Sequence, residues 1–260
     1  MTERQYSDFA LESMQASYGP GFLSPGAGIE TRQLLKGYDL DNKTCLDLGC
    51  GVGGSCLQMA TEHNPLKIVG VDVEAEQVRR ARELAQSSKA SNVRLELINA
   101  EEPLPFPRGY FDLVLSKDVL CHVRDKRALC AEVLRVLKPG GSFVLGDWQV
   151  GTREENMQTF HDWAALLKST GLLFHFETLS HYQKAFAAVG FSAVECKDHT
   201  EWSRNSAKEQ LVLVTGEHKA AFMANLGEEG FQRRLAITKA RLEGLSNGSI
   251  EHWHIHGCKT

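Results

Sequence analysis

No stretch of this 260-residue chain approaches the roughly 20 consecutive apolar residues of a membrane-spanning helix, which sets membrane-embedded classes aside. The segment Met1-Thr2-Glu3-Arg4-Gln5-Tyr6-Ser7-Asp8 is polar and holds no apolar core of a secretory signal. The seven cysteines, Cys45, Cys50, Cys56, Cys121, Cys130, Cys196 and Cys258, are odd in number and include no Cys-x-x-Cys pair. Several stand in apolar runs, where a free thiol acts as a small hydrophobe, and a reducing cytoplasm is the expected compartment. Lysine and arginine gather into no stripe, and the net charge of -4 supplies no electrostatic footprint for nucleic acid. Internal repeats and low-complexity tracts are also missing. A soluble domain that works on small molecules is what remains.

The first half alternates short β-rich runs with helical patterns, the signature of parallel strands joined by crossover helices in an α/β fold. Strands are expected at Thr44 to Leu48, Ile68 to Val73, Val93 to Asn99, Phe111 to Ser116 and Ser142 to Trp148. Glu74 to Gln86 reads as a helix, and so does Lys126 to Leu137, capped by Asp125 and ended by Lys138-Pro139-Gly140-Gly141. Beyond Trp148 the texture becomes helical, with Glu154 to Leu167 and Ser180 to Val189, a strand at Ala193 to Asp198, a helical insertion at about Ser206 to Leu245 and a last strand at His252 to Lys259. Tyr18 to Gly26, rich in glycine and proline, reads as a loop over the core.

Cys45-Leu46-Asp47-Leu48-Gly49-Cys50-Gly51-Val52-Gly53-Gly54 is an apolar strand that carries one acid and breaks into glycines. Such a turn lets the backbone approach a charged, nucleotide-like ligand, and Asp72 follows at the end of the next apolar run, where a ribose-binding carboxylate belongs. Gly49, Gly51 and Gly54 also satisfy the dinucleotide pattern, but three features point elsewhere. Asp47 precedes the glycines where a pyrophosphate gains nothing from a negative charge and an α-ammonium gains much. Asn99-Ala100-Glu101 offers polar contacts to an adenine amino group, with Leu104-Pro105-Phe106-Pro107 as an apolar wall. Ser116-Lys117-Asp118-Val119-Leu120-Cys121-His122 and Leu137-Lys138-Pro139-Gly140-Gly141 follow in order.

Across roughly residues 30 to 150 these four motifs resemble the class I S-adenosylmethionine-dependent methyltransferases. The resemblance implies a Rossmann-like, seven-stranded, mostly parallel sheet with a reversed final hairpin and helices on both faces. It implies S-adenosyl-L-methionine as cofactor, with Asp47, Gly49 and Gly51 at the methionine part, Asp72 and Val73 at the ribose, Asn99, Ala100 and Glu101 bordering the adenine, and Ser116 nearby. Asn99 stands where many relatives have Asp. The bland alternatives are a buried pair for Asp47, a helix cap for Asp72 and simple chain turning for the glycines.

Gln5-Tyr6-Ser7-Asp8, Tyr18 to Ser24, Glu30-Thr31, Ser116-Lys117-Asp118, His122 and Trp253 look like the phosphoethanolamine N-methyltransferases. That resemblance implies a lid-and-base pair of Tyr6 and His122, an amine-orienting Asp118 and a cofactor contact from Ser24. Removing a proton from an amine suits a histidine, and Asp118 lies four residues earlier on the same turn. Asp118 can equally cap the turn after it, and His122 can be a hydrogen-bonded core residue. The family's phosphate-binding Arg and Tyr fall on Leu167 and Ser169, leaving Lys168 as the nearby charge, with Arg233 or Arg234 near its C-terminal basic contact. Trp148, Trp163, Tyr182 and Trp202 can form a cation-attracting wall. His252, His254 and His256 alternate along one strand face, which explains them without a metal.

The chain then divides into an N-terminal lid helix and loop (1–30), a cofactor-binding core (31–150) and a helical cap with the last two strands (151–260). The expected activity is methylation of nitrogen on a small amine, phosphoethanolamine-like or amino-acid-like, with no nucleic-acid or membrane partner. The alternatives are carbon or oxygen methylation of a natural-product or lipid-like molecule, and a cofactor-binding regulator without turnover. No Asn-Pro-Pro-Tyr-like run follows the fourth strand, which argues against a nucleobase acceptor.

Overall fold

The computed structural model describes residues 8–216 and 219–260. Its centre is a seven-stranded sheet built from β1 (Thr44–Leu48), β2 (Lys67–Asp72), β3 (Val93–Leu97), β4 (Phe111–Lys117), β5 (Leu137–Val150), β6 (Ser192–Asp198) and β7 (Ile250–Cys258). The spatial order is β3-β2-β1-β4-β5-β7-β6; β7 runs antiparallel to both neighbours and every other pairing is parallel. β1 is buried along its whole length, as its near-continuous apolar run requires of a strand covered on both faces. Because the chain leaves β1 for β2 on one side and reaches β4 on the other, a crevice opens above their carboxyl ends.

Two cores lie against the two faces. Leu46, Leu48, Val114 and Phe143 pack with α5 (Lys126–Val136) and α7 (Leu179–Val189), while Cys45, Ile68 and Leu113 pack with α3 (Gly54–Glu62) and α4 (Ala75–Ser87). α5 starts where the sequence places it: Asp125 accepts the Ala128 N–H at 2.9 Å, satisfying one of the first turn's orphan donors. Asp125→Ala should cost about 1 kcal/mol, read as a lower urea midpoint with an unchanged slope.

Two expectations need correction. Lys138 to Gly141 follows the end of α5 as expected but already belongs to β5, which starts at Leu137 rather than Ser142: Gly140 takes φ 78° and the register shifts between Phe111 and Leu113. The helical insertion begins earlier than Ser206 and is two helices, α8 (Thr200–Thr215) and α9 (Lys219–Asn247), the second kinked at Gly227 with φ 64°. α6 (Met157–Lys168) packs on α9, as does α1 (Asp8–Tyr18), which is also tied to α4 by an Arg80–Asp8 ion pair of 2.7 Å. α2 (Ala27–Leu34) follows the loop that roofs the crevice, where Gly21 C=O accepts the Gly54 N–H at 2.9 Å. Among the described residues no helix is long and apolar enough to cross a membrane. All seven thiols are free.

Candidate active site

The turn after β1 holds Gly49, Gly51 and Gly53 at φ 77°, 54° and 93°, a left-handed path that few other residues take without strain. A Cβ at Gly49 would run into the methyls of Val119, so the turn and the β4 loop close on each other only through glycine. Asp72, at the end of β2, accepts the Gly51 N–H at 2.9 Å and the Glu74 N–H at 3.0 Å, fixing the turn to the next strand. Burial pushes the Asp72 carboxyl upward despite these donors.

Asp47 is 2 % exposed; the Cys56 thiol donates to it at 3.1 Å, with the Cys56 backbone also at hand, and among the described residues no cationic side chain forms an ion pair with it. Burial, with Asp72 nearby, pushes its carboxyl up to about 6 against the weaker pull of Cys56 and Lys117. A buried acid facing a cavity without a counter-charge is a receptor for a ligand cation. The cavity, about 370 Å³, runs from this turn to the inner face of α9.

Asp47, Gly49, Gly51, Asp72, Val73, Asn99, Ala100, Glu101 and Ser24 all line it. Asn99 accepts the Glu101 N–H at 3.0 Å, and Glu101 accepts the Arg124 N–H at 2.9 Å, so the β3 loop is bound to the turn that carries His122. Asp118 and His122 line the same cavity. His122 Nδ1 lies 2.6 Å from the Leu173 carbonyl, which can only accept, so the proton sits on Nδ1 and Nε2 keeps its lone pair. Burial holds this imidazole below its ordinary pKa, so it is neutral at pH 7. Asp118 takes φ 57°, and Lys117 donates to its Oδ2 at 2.6 Å while its Oδ1 is buried without a hydrogen-bond partner.

Trp148, Trp163 and Arg234 line the far end. Arg234 rather than Arg233 faces inward: Arg233 pairs with Glu229 at 2.7 Å on the outside, whereas the Arg234 guanidinium lies 4.6 Å from the Tyr18 ring centre. Its Nε and one terminal nitrogen are buried with no partner.

Four residues leave the site. Ser116 is fully buried between strands and donates to Leu48 C=O at 3.2 Å. Lys168 is exposed at the end of α6, which turns Trp163 and Leu167 to the cavity instead. Tyr182 packs under the sheet and donates to Asp147 at 3.0 Å. Trp202 stacks on His199 at 4.6 Å, away from the cavity. Tyr6 lies outside the described residues.

Sequence reasoning missed Arg241 and Tyr18. Arg241 is 5 % exposed, lines the cavity, stands 5.7 Å from the Trp148 ring centre and donates to Gln210 at 2.6 Å, while its Nε has no partner. It follows Arg234 by seven residues on one helix, a spacing that would have flagged a shared face. Burial alone would raise the Tyr18 phenol, yet Arg234 and Arg241 outweigh it and pull the phenol down. Asp147 was also missed: it accepts Cys121 N–H at 2.8 Å and so supports the turn carrying His122, and burial beside Asp118 lifts it to about 7.

A family model described as a methyltransferase domain matches residues 39–210. The chain is 28% identical over 245 residues to phosphoethanolamine N-methyltransferase 3 of Arabidopsis thaliana, covering 94% of this chain and 48% of that protein. It spans about half the length of the first curated relatives it matches. Phosphoethanolamine N-methyltransferase 2 of Haemonchus contortus, solved with phosphomonomethylethanolamine and S-adenosylhomocysteine, superposes with a TM-score of 0.88 at 23% identity, over 99% of this chain and 59% of that one. Geranyl diphosphate C-methyltransferase of Streptomyces coelicolor gives 0.70 at 20% identity, over 90% of this chain and 76% of that one. The chain therefore belongs to the methyltransferase domain family, in its class I, S-adenosylmethionine-dependent branch, and resembles the phosphoethanolamine N-methyltransferases.

Proposed function

We propose that the chain methylates nitrogen on a small amine that also bears an anionic group, phosphoethanolamine-like or amino-acid-like. One observation carries this reading: a single cavity offers an unspent carboxylate oxygen, Asp118 Oδ1, and unspent guanidinium N–H groups of Arg234 and Arg241. Buried polar groups left open in this way mark where a ligand must complete them. A zwitterion or an amine phosphate satisfies both.

The residues present fit S-adenosylmethionine, which when bound supplies an electrophilic methyl group. Asp47 takes the α-ammonium, Asp72 the ribose hydroxyls, and Val73 and Asn99 to Glu101 border the base. Ser24 takes part through Lys117, which donates to its Oγ at 2.6 Å. Asp118 orients the amine, and the free Nε2 of His122 receives the proton that leaves nitrogen, so that a lone pair is available for in-line attack. Tyr6 remains a proposed partner of His122. Arg234 and Arg241 hold the anionic end in the manner of a guanidinium fork, and the apolar walls exclude water. Leu167 faces the cavity and Ser169 donates to Leu166 C=O, so these two positions offer no donor to an anion; α6 supplies only the buried Trp163 indole N–H, and α9 supplies the guanidinium groups. In this scheme residues 1–30 cover the site, 31–150 carry the cofactor and 151–260 carry the acceptor groups, in a cytoplasmic enzyme.

The second reading, carbon or oxygen methylation of a lipid-like molecule, is favoured by the apolar wall of Trp163, Phe174, Phe176 and Ile237. A radiolabelled methyl-transfer screen over phosphoethanolamine, its mono- and dimethyl forms, glycine derivatives and prenyl diphosphates separates the two. Stabilisation by S-adenosylhomocysteine with no methyl release from any of them would instead support a regulator without turnover. Within the favoured reading, Arg241→Met should raise the acceptor KM about tenfold or more and leave S-adenosylhomocysteine affinity unchanged.

A further inference from the structure

A buried charged assembly stands behind Asp118, and the roles above use only its Lys117. Glu30 of α2 is fully buried, with Oε1 3.3 Å from His254 Nε2 and 3.2 Å from His252 Nε2, and Oε2 3.3 Å from Lys117 Nζ. Lys117 also donates to Pro25 C=O at 2.9 Å, besides Ser24 and Asp118. His252 Nε2 is 3.8 Å from Asp118 Oδ1, its Nδ1 is 2.6 Å from Ser203 Oγ, and its ring stacks on the cavity residue Trp148 at 4.2 Å. His199 stacks on His254 at 3.9 Å and lies edge-on to His252 at 5.7 Å. Among the described residues no group of three or more such side chains is arranged to hold a metal ion.

The proton positions follow from what each atom can do. Nδ1 of His252 accepts from the Ser203 hydroxyl, so the ring hydrogen sits on Nε2, which lies near the Glu30 and Asp118 carboxylates without closing a hydrogen bond to either. Burial outweighs the two carboxylates and keeps His252 below its ordinary pKa, while Lys117 and the imidazoles outweigh burial and hold the Glu30 carboxyl well down. Lys117 stays charged because Asp118 and Glu30 overcome its own burial. Two carboxylates thus share one lysine. The trio carries one net negative charge; without Glu30, Lys117 and Asp118, 2.6 Å apart, would be left as a neutral pair.

We propose that Glu30 and His252 are positioning residues that draw Lys117 away from full neutralisation of Asp118, so that Asp118 Oδ1 presents an uncompensated negative charge to a cationic head in the acceptor end of the cavity. The identity of that cation as the acceptor's ammonium rests on the N-methylation reading.

The test uses two probes that differ only in charge: phosphocholine, and 3,3-dimethylbutyl phosphate, its carbon isostere. Both are titrated calorimetrically into the full chain saturated with S-adenosylhomocysteine. Wild type should prefer phosphocholine about tenfold, the range of a charge-assisted contact. Glu30→Gln should abolish the preference while affinities for the isostere and for S-adenosylhomocysteine stay within about twofold, and Glu30→Asp should restore part of it. His252→Phe, which keeps a ring against Trp148, should reduce it in the same sense. No preference in wild type, an undiminished preference in Glu30→Gln, or an equal loss for both probes overturns the proposal. A loss seen with S-adenosylmethionine and not with S-adenosylhomocysteine also overturns it, by placing the charge at the sulfonium. If the preference behaves as expected and no amine is methylated, the N-methylation reading fails and this one stands.

Discussion

Asp118→Asn is expected to lower kcat/KM for the amine acceptor by about 10²- to 10³-fold, the cost typical of removing one preorganised polar group from a reacting centre. Asparagine keeps the size of the side chain, and it tolerates the left-handed conformation that Asp118 holds at φ 57°, so folding should survive. What disappears is charge. Lys117 then faces Glu30 alone behind the wall, and the unpartnered carboxylate of the cavity lining is replaced by an amide. The loss should appear in both kcat and KM, because in the proposed mechanism Asp118 holds the amine while it sheds a proton to His122. Affinity for S-adenosylhomocysteine should stay within a few-fold. Steady-state kinetics paired with calorimetry read both quantities, and turnover at the wild-type level would remove Asp118 from the chemistry.

Asp47→Asn should produce effects of opposite sign on binding and on stability. Affinity for S-adenosylhomocysteine should fall about 10- to 100-fold, since the ionised hydrogen bond proposed between Asp47 and the α-ammonium is lost. The ligand-free chain, by contrast, should melt a few degrees higher at pH 7. Asp47 titrates near 6 in the fold and near 3.8 in the unfolded chain, so the folded state binds the extra proton between those values. Its contribution to stability is present in full below the unfolded value and is lost as the pH rises through 6. At neutral pH the free chain therefore bears a buried unpaired charge, and asparagine relieves it. In wild type, ligand affinity should weaken about tenfold per pH unit below 6, because binding then requires loss of a proton, and Asp47→Asn should flatten that dependence. Thermal shift and calorimetry from pH 5 to 8 check both signs. A variant that binds S-adenosylhomocysteine as wild type does would detach Asp47 from the cofactor.

The parts of the molecule legible in the sequence are those in which adjacent residues act on one another. The glycine turn after Asp47, the Asp125 cap and the alternation of strands and helices through β4 are local patterns, and the fold places them within a residue or two of expectation. What stayed hidden depends on which side of an element meets which neighbour. Periodicity marks Tyr182 and Trp163 alike as members of apolar helix faces, but α7 lies under the sheet and α6 borders the cavity, so one ring supports Asp147 and the other faces the cavity. The histidine run was read as one polar strand face. Since β7 is internal, between β5 and β6, that face is covered, and His252 and His254 meet Glu30 from the far end of the chain. Arg241 was overlooked because its partners, Gln210 and Trp148, belong to elements that only the tertiary fold brings together.

The placement of β7 has a consequence for biogenesis. Among the described residues β6 pairs with no strand except β7, which the ribosome delivers only after α8 and α9 have been made. Until then a nascent chain exposes the open edges of β5 and β6 together, the kind of unpaired template that recruits other chains. Closure of this gap by a strand of high sequence separation should be the slow event in maturation, and a chain halted inside α9 is the form most in need of a chaperone.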